Sequence, residues 1–424
     1  MKNKRTRNVY APLEYFLPFL VALFFTPQTF AFYTADGGLG HLDLGSTIRV
    51  SSSVEKFAEN SLYSKASSVN SQSASFRGTL DYSPNDVISM QCHAVLFYEN
   101  RKQIIPAASI GLADYYGVER SPVFFEQHDS DPLTISDVDR LNIAYVKNGV
   151  RATLGRQPIN LATTFYFSPN DLFAPFAANT FYRIYKPGVD AFRFDKDVGE
   201  LGQFNFIYAL GYELSQQAET LWSQSLDSER DSLILRFSDV AGSFGWSVLG
   251  GQLRDETYLG FGLQGEWFEW LGLRAEGQLV SQSESDKDSL RSFTIGLEHR
   301  WQSSLDLRLE YFFNGFGKKQ KLFSPSDLFA SAGTAYSIYP GREYLALGQG
   351  YELSPLLYIQ TLLMVNINNS AGILSFDLNY SLSDDVEINV GASTSFNSTN
   401  VTSTYNTEFS YYPDALTVEL RAYF

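Results

Sequence analysis

Four histidines and one cysteine set narrow limits on acid–base, nucleophilic or metal chemistry in this chain of 424 residues. Cys92 stands alone, so an internal disulfide, a CxxC redox pair and a cysteine-based zinc site are all excluded. His93 is accompanied by no serine or paired-aspartate signature of a hydrolase. His128 sits beside Asp129 and Asp131, and further acids cluster at 137–139, 227–231 and 284–288, but none has EF-hand spacing. No phosphate loop, dinucleotide fingerprint or HExxH occurs. The sequence therefore predicts no catalytic residues, no metal and no cofactor.

What recurs instead is arginine and carboxylate at every second position. Arg49, Arg77, Arg151, Arg193, Arg236, Arg274, Arg300, Arg308 and Arg421 each fall in a segment whose alternate residues are apolar, as do Glu276, Glu298 and Glu310. Leu271, Leu273, Ala275 and Leu279 alternate with Arg274, Glu276 and Gln278. Leu416, Val418, Leu420, Ala422 and Phe424 alternate with Thr417, Glu419, Arg421 and Tyr423. A period of two places the two sets on opposite faces of a sheet. On the wet face, a guanidinium can grip a carboxylate in a planar fork. Neighbours such as Arg274/Glu276 and Arg308/Glu310 can equally neutralise one another across adjacent strands.

The elements that carry these residues are strands of about ten residues, the length a tilted membrane strand needs. Composition agrees, with 15% aromatic residues and 31 glycines. After residue 31 no apolar run is long enough for a helical membrane span. Tight turns are expected at 83–86, 148–149, 196–202, 241–242, 268–269, 302–303, 354–355 and 383–384, with Asn148-Gly149 the strongest hairpin signal. Long connections fall between them at 51–71, 99–137, 157–188, 214–230, 252–256, 281–290, 315–342, 366–370 and 397–415. The alternating stretch 403–412 is placed in the last loop, because another strand would make the count odd. The fold class is all-β, a transmembrane antiparallel barrel of about eighteen strands with long extracellular loops carrying short helices. Sixteen strands stay possible, because 42–50 and 189–194 alternate weakly. The apolar face meets lipid and the charged face lines the lumen, so a packed apolar interior is excluded. His299, on the apolar register beside Trp301, fits an interfacial aromatic belt. The net charge of −15 excludes nucleic acid as a partner.

Residues 1–31 read as a signal peptide ahead of a barrel at 32–424. Lys2, Lys4, Arg5 and Arg7 precede the apolar stretch 16–25, and Thr29-Phe30-Ala31 supplies the small residues of a cleavage site. At the other end Phe424 closes an amphipathic strand, which resembles the signal that bacterial barrel-assembly machinery reads.

Two loops repeat one motif. Ser168-Pro169-Asn170-Asp171-Leu172-Phe173-Ala174 in loop 157–188 matches Ser324-Pro325-Ser326-Asp327-Leu328-Phe329-Ala330 in loop 315–342. Each is followed by a related stretch, 180–188 and 334–341. Serine as N-cap, proline as first helical residue and aspartate in the first turn predict a short helix in each. Both loops are expected to fold inward and form a constriction. Phe165, Tyr166, Phe167, Phe173, Phe176, Tyr182, Tyr185, Tyr336 and Tyr339 would line it, with Arg183 and Lys186 as polar contacts.

Leu154-Gly155-Arg156-Gln157 entering the first loop and Pro187-Gly188-Val189-Asp190-Ala191-Phe192-Arg193 leaving it resemble a pattern in porin-like Gram-negative outer-membrane channels. The chain is loosely similar to the alginate-export porin group, which implies an eighteen-stranded barrel with an arginine-rich lumen. The expected function is non-enzymatic: passive diffusion of small or oligomeric hydrophilic solutes across the outer membrane, in contact with lipid and lipopolysaccharide. Two other classes remain open, a barrel whose outer loops bind a partner, as in adhesins, and an outer-membrane hydrolase.

Overall fold

The computed structural model describes residues 33–38, 40–57, 68–100, 125–130, 133–181, 185–214, 222–281, 290–324, 327, 338–396 and 407–424. The leader lies outside the described residues. Eighteen antiparallel strands form one closed barrel. They run from Gly40–Lys56 to Asp414–Tyr423, and closure pairs Thr47 with Tyr423 through to Lys56 with Asp414. The chain's last residue completes the seam: Ser46 N donates to Phe424 O at 2.7 Å and Phe424 N to Ser46 O at 2.8 Å. Both weakly alternating regions are full strands, Gly40–Lys56 and Val189–Val198, so the count is eighteen rather than sixteen. Two short strands, Tyr33–Gly37 and Phe125–Ser130, add to the ends of barrel strands without entering the ring.

The eight expected tight turns lie at one end of the barrel and the long loops at the other. Two of the expected long connections are short: Arg254 and Asp255 alone join Phe244–Leu253 to Glu256–Trp267, and 367–371 joins Leu357–Asn366 to Gly372–Ser383. Asn148 and Gly149 have φ of 53° and 69°, the paired positive values that let a two-residue turn follow strand twist. The outward face is apolar and exposed, with Leu259, Leu279, Ile295 and Leu416 each about half accessible. A continuous greasy face around a closed sheet is compatible with hydrocarbon and not with water. At the turn end the exposed Trp267, Phe268, Trp270 and Trp301 form an aromatic rim. His299 stands edge-on to Trp301 at 4.4 Å, in the belt position its register predicts.

The inward face departs from expectation in its loop-side half. There, beside buried polar groups such as Gln278, Thr294 and Asn366, it carries two buried apolar clusters. One joins Val189, Ala191, Ile207, Ile234, Leu253 and Val280 of the wall to Ile159, Leu172 and Phe173 of the first long loop. The other gathers Phe312, Tyr344, Leu362 and Ile373 around Phe167. The exclusion of a packed apolar interior thus holds only for the turn-side half. The physical reason is that a loop folded into a barrel needs an apolar seat, since its own Leu and Phe side chains must leave water.

Candidate functional site

Loop 158–188 enters and leaves the barrel wall at a buried ionic knot. Arg156 Nε and Nη2 donate to the two oxygens of Asp190 at 2.8 and 3.0 Å, and Nη1 donates to Val138 O at 2.8 Å. Gln157 Nε2 donates to Ala191 O at 3.0 Å, tying entry strand to exit strand. At Gly188 a Cβ would collide with Asp139 O, so only glycine fits where the loop exits. These are the residues of the entry and exit motifs, and they act as braces.

From this base the loop lies along the inner wall. Glu276, on strand Leu271–Ser281, accepts from the backbone N–H groups of Thr163, Thr164 at 2.6 Å and Asn170 at 2.9 Å. Glu310, on strand Leu305–Phe313, accepts from Phe165 N at 2.6 Å, Tyr166 N at 2.8 Å and Phe167 N at 3.1 Å. Both carboxylates were expected to line the lumen in solvent; both are instead buried beneath the loop. Asn170 adds side-chain bonds to Tyr258 OH at 2.6 Å and Phe261 O at 2.9 Å.

The repeated motif does not form a helix in the first loop. Ser168 O accepts from Asp171 N at 3.0 Å, a single turn, and the chain then extends. Within the motif the Asn170 N–H goes to Glu276, and Asp171, the residue expected to pair in the first turn, is taken instead by Lys186 in a buried ion pair. In the second loop the expected cap does form: Ser324 N donates to Asp327 Oδ2 at 2.9 Å and Asp327 N to Ser324 Oγ at 3.3 Å. Asp327 itself is helical. Burial alone would raise its carboxyl, but Lys318, the Ser324 amide and hydroxyl, and Gln320 together hold it well below the usual carboxylate range.

The expected constriction residues therefore divide. Phe173, Asp171 and Lys186 are sealed between loop and wall, and Phe167 is buried in the second apolar cluster. Phe165, Tyr166, Phe176, Tyr185 and Tyr339 are half-buried, as is Ser168. Tyr182, Arg183, Phe329 and Tyr336 lie outside the described residues. The two motif-bearing loops do meet: Ala178 N donates to Tyr339 OH at 2.7 Å, and Phe167 packs edge-on against Tyr339 at 5.3 Å.

The arginines lie on the inward face, mostly in ion pairs. Arg49 meets Glu419 at 2.8 Å, and Arg421 pairs with Glu419 and lies 3.9 Å from Glu387. Arg77 pairs with Asp139 at 2.6 Å and stacks on Tyr185 at 4.1 Å. Arg274 and Arg308 both lie 4.2 Å from the ring centre of Phe165, and both face Glu298, at 3.0 and 3.9 Å. Two guanidiniums on one phenyl ring fix that ring at the loop's inner surface. Arg300, largely exposed at the turn end, approaches Glu352 at 3.6 Å. Arg193 pairs with Asp195 at 2.8 Å, and Arg236 is half-buried opposite Asn205. Near the turn end Arg151 is exposed and, with Arg193, Gln91, Asn142 and Gln203, lines a recess of about 670 Å³.

Neither a family model nor a curated protein sequence matches the chain. Solved structures do. Acinetobacter baumannii OccAB3 superposes with a TM-score of 0.56 at 11% identity, covering 90% of this chain and 99% of that one. A BenF-like porin from Pseudomonas fluorescens Pf-5 gives 0.55 at 9%, over 90% and 98%. The outer membrane protein opdK from Pseudomonas aeruginosa gives 0.54 at 8%, over 90% and 98%. The shared fold is the outer-membrane porin barrel. At these identities the likeness is one of architecture, and the side chains in the bore are this chain's own.

Proposed function

We propose that the protein is a non-enzymatic outer-membrane channel through which small or oligomeric hydrophilic solutes diffuse passively. One observation carries this reading: the turn-side half of the barrel interior is lined by charged, solvent-reaching side chains such as Arg49, Arg151, Arg300 and Arg308, while one long loop lies folded against the wall above them. A barrel meant only to brace a surface has no need to keep ionised groups wet inside it. The similar solved structures support it, one being described as a porin. In this reading the long loops face outward toward lipopolysaccharide and the turns face the periplasm. Phe165, Tyr166, Ser168, Tyr185, Tyr339, Ser324 and Asp327 belong to the narrowed region, and the paired arginines below it form a path for polar solutes. Phe424, in the closing seam, presents the terminal aromatic residue to the assembly machinery.

The test is conductance of the purified protein in planar bilayers, with reversal potentials in a salt gradient. Steady open-channel current is the expected result. A folded barrel that passes none, or that instead hydrolyses lipid or peptide, overturns the proposal.

A further inference from the structure

We infer that Glu276 and Glu310 are the positioning residues that hold loop 158–181 inside the bore, and that the wall beside them is shaped to seat it. The inference rests on the channel reading above and adds to it the groups that fix how far the bore is narrowed.

Both oxygens of each carboxylate are engaged. Glu276 Oε1 takes Thr163 N and Thr164 N while Oε2 takes Asn170 N. Glu310 Oε1 takes Phe165 N while Oε2 takes Tyr166 N and Phe167 N. Consecutive amides from 163 to 167 are therefore bound to two side chains on non-adjacent strands. Strand Leu290–Arg300 lies between those strands, and at Gly296 a Cβ would press on Glu310 Cγ at 3.0 Å. A carboxylate accepting several backbone N–H groups makes strong, charge-assisted bonds, and burial strengthens them further.

The wall is cut to match. At Gly262 a Cβ would lie 2.8 Å from Thr163 Oγ1, and at Gly260 it would lie 2.9 Å from Asn170 Oδ1. At Gly348 it would run into the Tyr166 ring. Three inward glycines on two strands thus form a track along which the loop lies flush. Arg274 Nη1, donating to Thr163 O at 2.8 Å, closes the same segment from its carbonyl side.

Replacing a carboxylate by the isosteric amide turns one acceptor oxygen into a donor and leaves at least one loop N–H facing another donor. The test uses the full mature chain in a Cys92→Ser background, with nitroxides at Ala177→Cys and Asp86→Cys for pulsed EPR distances. Glu276→Gln with Glu310→Gln should broaden the single narrow loop-to-turn distance and make the open-channel current noisy. Heat-modifiability on gels should stay that of a folded barrel. Each single variant is measured as well, and shows a smaller broadening, so the result does not depend on the double variant folding. Rescue is read by conductance in a chain without the nitroxide cysteines. Thr163 Cβ lies 3.7 Å from the Cβ position of Gly262, so Thr163→Cys with Gly262→Cys can form a disulfide and should quiet the current until reductant is added. Unchanged distance distributions in the single and double variants overturn the inference. A wild-type barrel with a narrow distance and no current overturns the channel reading while leaving the loop assignment standing.

Discussion

Arg156 and Asp190 form a bidentate pair across the two strands that carry the inward loop, Nε to Oδ1 at 2.8 Å and Nη2 to Oδ2 at 3.0 Å. Tyr212 OH donates to the same carboxylate at 2.9 Å, and Asp137 stands 3.6 Å from the guanidinium. Arg156 is one of the largest fully buried side chains in the described protein. The loop's two ends are thereby held together at the point where the wall stops and the bore begins.

Arg156→Ala leaves two carboxylates facing one another without their cation. Breaking a buried pair from one side costs about 3–5 kcal/mol, and that loss should appear in the urea midpoint of the refolded barrel. Arg156→Lys should recover only part of it, because an ammonium cannot reproduce the planar fork. A loss below about 1 kcal/mol, the range of an exposed pair, would reject the bracing role.

The outward face offers a second test. Ile295 lies near the middle of strand Leu290–Arg300 and is about half accessible. Ile295→Arg should cost about 2–4 kcal/mol of folding free energy in vesicles if it meets hydrocarbon. Ser89→Arg, on the wall of the turn-side recess, should cost far less. Equal costs at the two positions would invalidate the sidedness on which the lumen assignment depends.

The barrel was legible because its grammar is local. Asn148-Gly149 and its counterparts mark turns by backbone need, and alternation marks strands wherever one face is wet. The signal weakened at 189–194 for a physical reason. Val189 and Ala191 point inward, yet they are apolar because the loop covers them, so both faces of that strand end are greasy. Glu276 and Glu310 show the complementary limit. Their register on the wet face was correct, but nothing nearby in sequence separates them from Glu298, which does pair with arginine. Their role comes from amides more than a hundred positions away. Likewise Ser168 and Ser324 head the same motif, but Asp171 is drawn to Lys186 while Asp327 bonds the Ser324 amide, a difference set by tertiary partners and not by the motif.

Acid should act oppositely on two outer loops. Glu408, in the 3₁₀ turn Glu408–Tyr411, has its carboxyl raised because burial outweighs its bonds from Asn366, Asn369 and Tyr344, and burial beside it pushes Tyr412 up to about 12. A raised carboxyl binds its proton more tightly in the folded loop, so packing of 407–412 should tighten as pH falls from neutral toward the ordinary carboxylate range. Asp327 is lowered, so its contribution is present above the ordinary carboxylate range and is lost only as pH falls below it. Hydrogen exchange, corrected for intrinsic rates, should show protection at 407–412 rising on mild acidification, and Glu408→Gln should abolish that rise. Protection that falls instead would contradict the assignment.

Deleting 168–177 removes Asn170 and Phe173, and with them one oxygen's partner on Glu276 and part of the apolar seal over the wall. The first consequence should be a larger single-channel conductance, because the segment that narrows the bore is gone. The second concerns charge. Glu276 is buried in the intact protein and contributes little to the potential an ion meets; once uncovered, it adds a carboxylate to the bore. Reversal potentials should therefore shift toward cation preference in the deletion. Combining it with Glu276→Gln should keep the higher conductance but remove the shift. An unchanged conductance would reject the loop as a constriction, and a selectivity shift that survives Glu276→Gln would place its origin elsewhere in the lumen.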